Sequence, residues 1–119
     1  LNPPAGWVPA RGDVIWLDFS PHAGREQRGN RPALVLSPRS FNRLNRFALV
    51  CPTTTKRKGL RFEVPITEPG DMFGSVVLAD QVRSFDWQER NARPFSRVSE
   101  ALVQAVVARI VAVLEADPD

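Results

Sequence analysis

The apolar residues of this chain change period once, and that change bounds the folds open to it. From Ser99 to Leu114, residues Leu102, Val103, Val106, Val107, Ile110, Val111 and Leu114 recur at steps of three and four. That spacing makes one amphipathic helix, with Ser99 placed to cap it. Before Ser99 no stretch holds a helical period. The apolar residues come instead in short β-branched and aromatic runs cut off by proline, glycine and serine, so the chain is expected to be mainly β with a C-terminal helix.

The runs can be placed individually. Val14–Phe19 reads as a strand ended by Ser20-Pro21, and Ala33–Leu36 as a short buried strand closed by Ser37-Pro38. Phe47–Cys51 is a third, which Pro52 should end because proline cannot donate to a ladder. Arg61–Ile66 sends Phe62, Val64 and Ile66 to one side, and Ser75–Leu78 and Gln81–Phe85 supply further strands. Arg39–Arg46 is too short to decide between a turn of helix and an irregular crossover. Residues 1–10, with Pro3, Pro4 and Pro9, read as an extended arm, and residues 11–116 as a single domain. Short strands followed by one helix argue for a small, strongly bent antiparallel sheet or half-open barrel with the helix packed on it.

Composition excludes several chemistries. One cysteine, Cys51, and one histidine, His22, leave no intrachain disulfide, no Cys-based zinc site and no His–His acid/base pair in one chain, so no metal or cofactor is expected. The longest uncharged apolar stretch, Ala101–Ala108, stops at Arg109, far short of the roughly 20 residues a spanning helix needs. No membrane partner is expected. The N-terminal residues show no secretory pattern, the chain opens on Leu1 as if a start methionine had been trimmed, and a cytoplasmic protein is the default expectation.

The formal charge of +3 conceals an uneven distribution. Between His22 and Phe62 lie ten basic residues (Arg25, Arg28, Arg31, Arg39, Arg43, Arg46, Lys56, Arg57, Lys58 and Arg61) against the single acid Glu26. If the loops that carry them converge, they form a cationic surface for a polyanion, and arginine favours bidentate phosphate contacts. The alternative is a set of solvated surface arginines balanced by the acidic remainder. Within the first loop, Glu26 can fold back on Arg31 and orient it, or simply stiffen the loop as an ion pair. Arg31 precedes Pro32 and is therefore held extended, a rigid cation at the mouth of a buried strand. His22 titrates near neutrality in principle but reads as an exposed turn residue. Thr53, Thr54 and Thr55, next to Lys56, Arg57 and Lys58, are either an edge loop or a hydroxyl-rich phosphate site.

Taken together, five blocks resemble the MazF/PemK toxins of bacterial toxin–antitoxin systems. They are Gly12–Phe19, Gly24 with Glu26-Gln27, Arg31–Ser37, Pro52-Thr53-Thr54 and Val77–Ser84, in that order. The likeness runs from about Arg11 to the C-terminal helix and implies a compact SH3-like barrel, of the type shared with the CcdB gyrase poisons, working as a homodimer. It implies a metal-independent endoribonuclease that cuts single-stranded mRNA within short motifs. The substrate's own 2′-OH would attack the adjacent phosphate, leaving a 2′,3′-cyclic phosphate and a 5′-OH. A cognate MazE-like antitoxin with an acidic, flexible segment would hold it silent.

Carried over, the likeness makes Arg31, Glu26 and either Thr53 or Thr54 the catalytic set. Arg31 would neutralise the phosphorane and share in proton transfer, the threonine hydroxyl would hold a non-bridging oxygen, and Glu26 would orient Arg31. Arg25, Arg28, Asn30, Lys56, Arg57, Lys58, Gln81 and Arg83 are the RNA-binding candidates. Two other readings stand beside it: a CcdB-like gyrase-binding toxin without enzymatic activity, and a noncatalytic RNA-binding barrel.

Overall fold

Strand β1 (Asp13–Asp18) lies inside the sheet, one place from an edge, and its side chains are mostly apolar on both faces. A computed structural model describes residues 3–20 and 29–116. β1 pairs antiparallel with β2 (Asn30–Val35) on one side and with β7 (Arg93–Arg97) on the other. β2 then pairs with β3 (Phe47–Thr54), and the short helix α1 (Arg39–Asn45) bridges them. The far edge of β3 is shared. Its first half pairs with β6 (Arg83–Asp86) and its end with β5 (Val76–Leu78), which in turn pairs with β4 (Glu63–Pro65). A short 3-10 turn, Ala79–Gln81, joins β5 to β6, and helix α2 (Glu100–Leu114) closes the chain. The sheet is wholly antiparallel and, among the described residues, no ladder joins β4 to β7.

Alternation along the central strands divides the core in two. Val14, Leu34, Cys51, Val64 and Val77 form a first cluster, covered by Val103 and Val106 of α2. Ile15, Leu17, Ala33, Val35, Ala48 and Val50 form a second on the opposite face, with Trp87 and Ala92, and Trp7, Val8, Phe19 and Phe85 packed around it. Strands buried on both faces must read as continuous apolar runs, which is why Ala33–Leu36 shows no alternation, whereas Phe47–Cys51 reads the same way although Phe47 and Leu49 are exposed.

The C-terminal helix matches its sequence signature. Ser99 accepts the Leu102 N–H at 3.1 Å, and both the N–H and the hydroxyl of Ser99 donate to Glu68, at 2.8 and 2.6 Å. Its buried face carries Val103 and Val106, each worth about 1.5–3 kcal/mol in burial. Val106→Asp would place a charge in that seam and separate helix from sheet. No described helix is long and apolar enough to cross a membrane.

Three expectations change, and one open choice is resolved. β2 starts at Asn30 rather than Ala33, so Arg31 and Pro32 belong to the strand itself, paired with Leu17 and Trp16. β3 does not stop at Pro52 but runs on to Thr54. Proline is tolerated there because Cys51 and Pro52 fall in the gap between the β6 ladder, whose last pair is Val50–Arg83, and the β5 ladder, whose first is Thr53–Val77. β7, Arg93–Arg97, is a strand where none was expected, its alternation masked by Pro94 and a register shift opposite Val14 and Ile15. Arg39–Asn45 is helical, organised by buried Asn42, whose side-chain amide donates to the carbonyls of Pro9 and Ser37 at 2.8 and 3.0 Å.

Candidate active site

The pairing of β2 with β3 brings the exit of the first basic loop next to the start of the second. Ala33 lies opposite Pro52, and continuing that antiparallel register by two residues sets Arg31 across from Thr54. Pleating then separates the two candidate threonines. Arg31 shares a face with Ala33 and Val35, and Thr54 shares it with Ala48 and Val50, the face of the second cluster. Thr53 points the other way, with Cys51 and opposite Val77.

Their hydroxyls differ accordingly. Thr53 is 5% exposed and its hydroxyl donates to the Pro32 carbonyl at 3.0 Å, tying β3 to β2 directly beside Arg31. Thr54 is half-buried, and its Oγ1 accepts the Lys56 N–H at 3.1 Å, which folds the turn and leaves its own O–H available to donate. Arg31 is exposed at the strand edge.

The second loop is held by a residue that sequence reading passed over. Glu63, buried at the start of β4, accepts the Lys58 N–H with both carboxylate oxygens at 3.1 Å and the Gly59 N–H at 3.0 Å. This carboxylate bends the Lys56–Gly59 backbone back on itself and leaves the side chains of Lys56, Arg57 and Lys58 exposed. The signal was an acid between Phe62 and Val64 in an otherwise apolar alternation, a position where a buried charge needs several donors.

At the first loop, the described residues on either side, Phe19-Ser20 and Gly29, are held against one another. Phe19 N–H donates to the Gly29 carbonyl at 2.8 Å, and a side chain at Gly29 would meet Ser20 Cβ at 2.7 Å and Asp18 Oδ1 at 2.8 Å. Only glycine permits that approach. Arg90 donates to the Ser20 carbonyl and lies 4.7 Å from the Phe85 ring centroid. Glu26, Arg25, Arg28 and His22 fall outside the described residues.

Arg83 comes to the same region, its guanidinium 5.8 Å from the ring centroids of both Phe19 and Phe85. Gln81 is exposed in the 3-10 turn between the two strands that flank β3, and so lies along the edge of β3 away from β2. Asn30 is half-buried opposite Asp18. The ten basic residues do not form one surface, however. Arg39, Arg43 and Arg46 belong to α1 and its end, at the opposite end of the β2–β3 pair from Arg31 and Thr54. Among the described residues no three His, Cys, Asp or Glu side chains cluster so as to hold a metal ion. Cys51 is buried in the sheet, and burial, with Asp80 adding to it, pushes its thiol up to about 12. It is no nucleophile.

An exposed arginine and a half-buried hydroxyl facing one way, flanked by a constrained cationic loop, make an arrangement on a small β protein that can donate to phosphate oxygens. Comparison with known proteins narrows that class. Residues 10–114 match the family described as PemK-like, MazF-like toxin of type II toxin–antitoxin system. The chain is 43% identical over 104 residues to the endoribonuclease toxin MazF of Escherichia coli K12, covering 87% of this chain and 92% of that protein. It is 41% identical over 110 residues to the endoribonuclease toxin ChpB of the same strain, covering 88% and 93%. Among solved structures, MazF of Deinococcus radiodurans (Form-I) aligns with a TM-score of 0.78 at 39% identity, covering 91% of this chain and 97% of that one. A MazE–MazF crystal structure from the same organism (Form-II) aligns at 0.76 and 34%, covering 93% and 99%. The chain belongs to the PemK/MazF-like family of type II toxin–antitoxin toxins.

Proposed function

We propose that this chain is the toxin of a toxin–antitoxin pair and an endoribonuclease that cuts single-stranded mRNA in the cytoplasm, as a homodimer. What carries the reading is the β2–β3 register, which, continued two residues beyond the Ala33–Pro52 pair, sets Arg31 across from Thr54 on one face. The bent open sheet with α2 on its first cluster is read, within the family, as an SH3-like half-open barrel over residues 11–116, with residues 1–10 as its leading arm. The relatives named above are endoribonucleases, and solved structural neighbours include MazE–MazF complexes.

In this reading the RNA phosphate sits between Arg31 and Thr54. The adjacent 2′-OH attacks phosphorus, the 5′-oxygen leaves, and the products carry a 2′,3′-cyclic phosphate and a 5′-OH. Arg31 acts through its positive charge, with two N–H groups on the non-bridging oxygens as the phosphorane forms. Thr54 donates its free O–H to a non-bridging oxygen. Thr53, its hydroxyl already committed to Pro32, positions the Arg31 segment. Glu26 is assigned the orienting of Arg31. Lys56, Arg57, Lys58, Arg83, Gln81, Asn30, Arg25 and Arg28 guide the strand, and the antitoxin's acidic segment competes for the same cations.

The test is incubation with a long single-stranded RNA in EDTA, followed by mapping of the ends. Discrete cuts with 5′-OH termini, lost in Arg31→Ala and Thr54→Ala, are expected. RNA retained intact on the protein would assign a binding barrel instead, and gyrase inhibition without RNA contact would assign a CcdB-like poison.

A further inference from the structure

Arg43 of α1 and Arg46 just past its end have no role in the site just described, yet they line a cleft of about 510 Å³ at the other end of the sheet. Its walls include Trp7, Trp87, Arg43, Arg46, Asn91 and Arg93. Trp7 stands edge-on to Trp87, ring centroids 6.1 Å apart at 84°, and Trp87 is locked by its indole N–H to the Asn42 carbonyl at 3.0 Å. Trp7 is half-buried and follows a turn in which its N–H meets the Pro4 carbonyl at 3.0 Å.

The charge in this cleft is incompletely balanced. Arg46 pairs with Asp86 at 3.6 Å, but the same carboxylate also accepts the N–H groups of Gln88 and Glu89. Neither Arg43 nor Arg93 has an ion pair among the described residues, and the Nε of Arg93 is buried without a hydrogen-bond partner. The exposed guanidinium groups of Arg43 and Arg46 present donors to the cleft that an anionic oxygen accepts best. A cleft of this volume is of the size that holds small ligands, and it combines cations, an indole and a side-chain amide. Those are the elements of a single-strand nucleotide site: phosphate on arginine, base on indole, base edge on amide.

We infer that this cleft binds a nucleotide of the RNA substrate outside the cleaved step. The inference rests on the RNA reading above. The cleft lies at the Phe47 end of β3, seven residues from Thr54, or about 23 Å along the strand. It is therefore a separate contact that a strand reaches only by extending well beyond the cut. One wall comes from Trp7, ahead of residues 10–114 that match the family, so this wall lies outside the matched segment.

The experiment measures binding of an unstructured 2′-O-methyl RNA of about 20 nucleotides, which lacks the attacking hydroxyl and stays intact. Wild type is compared with Trp7→Ala, Arg43→Ala and, as a control in the loop, Lys56→Ala/Lys58→Ala. Each cleft variant should weaken binding at least about fivefold. Arg43→Ala should also lower the salt slope by about one, with the melting temperature unchanged because the residue is exposed on α1. Wild-type affinity in both cleft variants, with the loop control weakened, would overturn this inference and leave the RNA reading standing. Failure of wild type to bind the RNA at all would remove both. Loss of binding to an acidic antitoxin segment with RNA affinity intact would give the cleft to a protein partner and overturn the inference as well.

Discussion

Replacing Thr53 and Thr54 separately by valine tests the face assignment on which the mechanism rests. Valine keeps the branched shape and removes only the hydroxyl. At Thr54 the lost group is the free donor aimed at the phosphate, and removing one preorganised donor to a developing oxyanion costs about 10²–10³-fold in rate. The turn also loses the 3.1 Å bond to the Lys56 N–H, an exposed interaction of about 0.5–1.5 kcal/mol. At Thr53 the loss is structural. The Pro32 carbonyl loses its 3.0 Å donor beneath a residue 5% exposed, for about 1–3 kcal/mol of stability. For a chain of this size that lowers the melting temperature by roughly 4–12 °C. Single-turnover cleavage at a temperature where both variants are folded, together with thermal melts, separates the two. Thr54→Val should be slow and nearly as stable as wild type, and Thr53→Val less stable with a rate within about tenfold. A Thr53→Val protein with wild-type melting and no cleavage, beside an active Thr54→Val, would refute the pleat argument.

Arg31→Lys keeps the charge but loses the two-pronged donor, and should cut at least about tenfold more slowly; near-wild-type cleavage would remove bidentate phosphate contact from the mechanism. Glu63→Ala leaves two backbone N–H groups of the second loop, those of Lys58 and Gly59, without their acceptor, so a loss of roughly 2–3 kcal/mol in denaturant unfolding and weaker RNA binding are expected together. Unchanged RNA binding at reduced stability would show that loop geometry is irrelevant to the substrate. The raised Cys51 thiol predicts a pH effect of definite sign. The unfolded thiol loses its proton near 9 while the folded one keeps it up to about 12, so this group's contribution is complete below pH 9 and is lost as pH rises from 9 to 12. Cys51→Ala should flatten that alkaline limb in urea titrations, and the native thiol should resist alkylation at pH 8.

The candidate site residues could be nominated from the chain because the chemistry that singles them out is local. Arg31-Pro32 is restrained by its own proline, and hydroxyls beside Lys56, Arg57 and Lys58 read as a phosphate loop wherever they sit. What failed to read were relations between distant residues. Glu63 looked like one more surface acid because its donors, Lys58 and Gly59, lie across a turn that it creates. Asn42 looked like an ordinary polar residue on a short segment, although it joins the Pro9 carbonyl to the Trp87 indole. The grouping of ten cations into one surface also failed, since charge counted along a chain carries no direction.

By itself, the order of residues determined the class of elements, the helix from its period of three and four, and the candidate chemistry, since one cysteine and one histidine leave arginine, threonine and carboxylate. Only the tertiary structure separated Thr53 from Thr54 by facing, because adjacent residues of a strand face opposite ways and the partner strand alone says which face carries Arg31. It also divided the basic stretch between the two ends of the β2–β3 pair, since an antiparallel connection returns the chain to its starting end and leaves α1 at the other. Side-chain type is local and survives in one dimension, whereas facing and proximity exist only once the strands have paired.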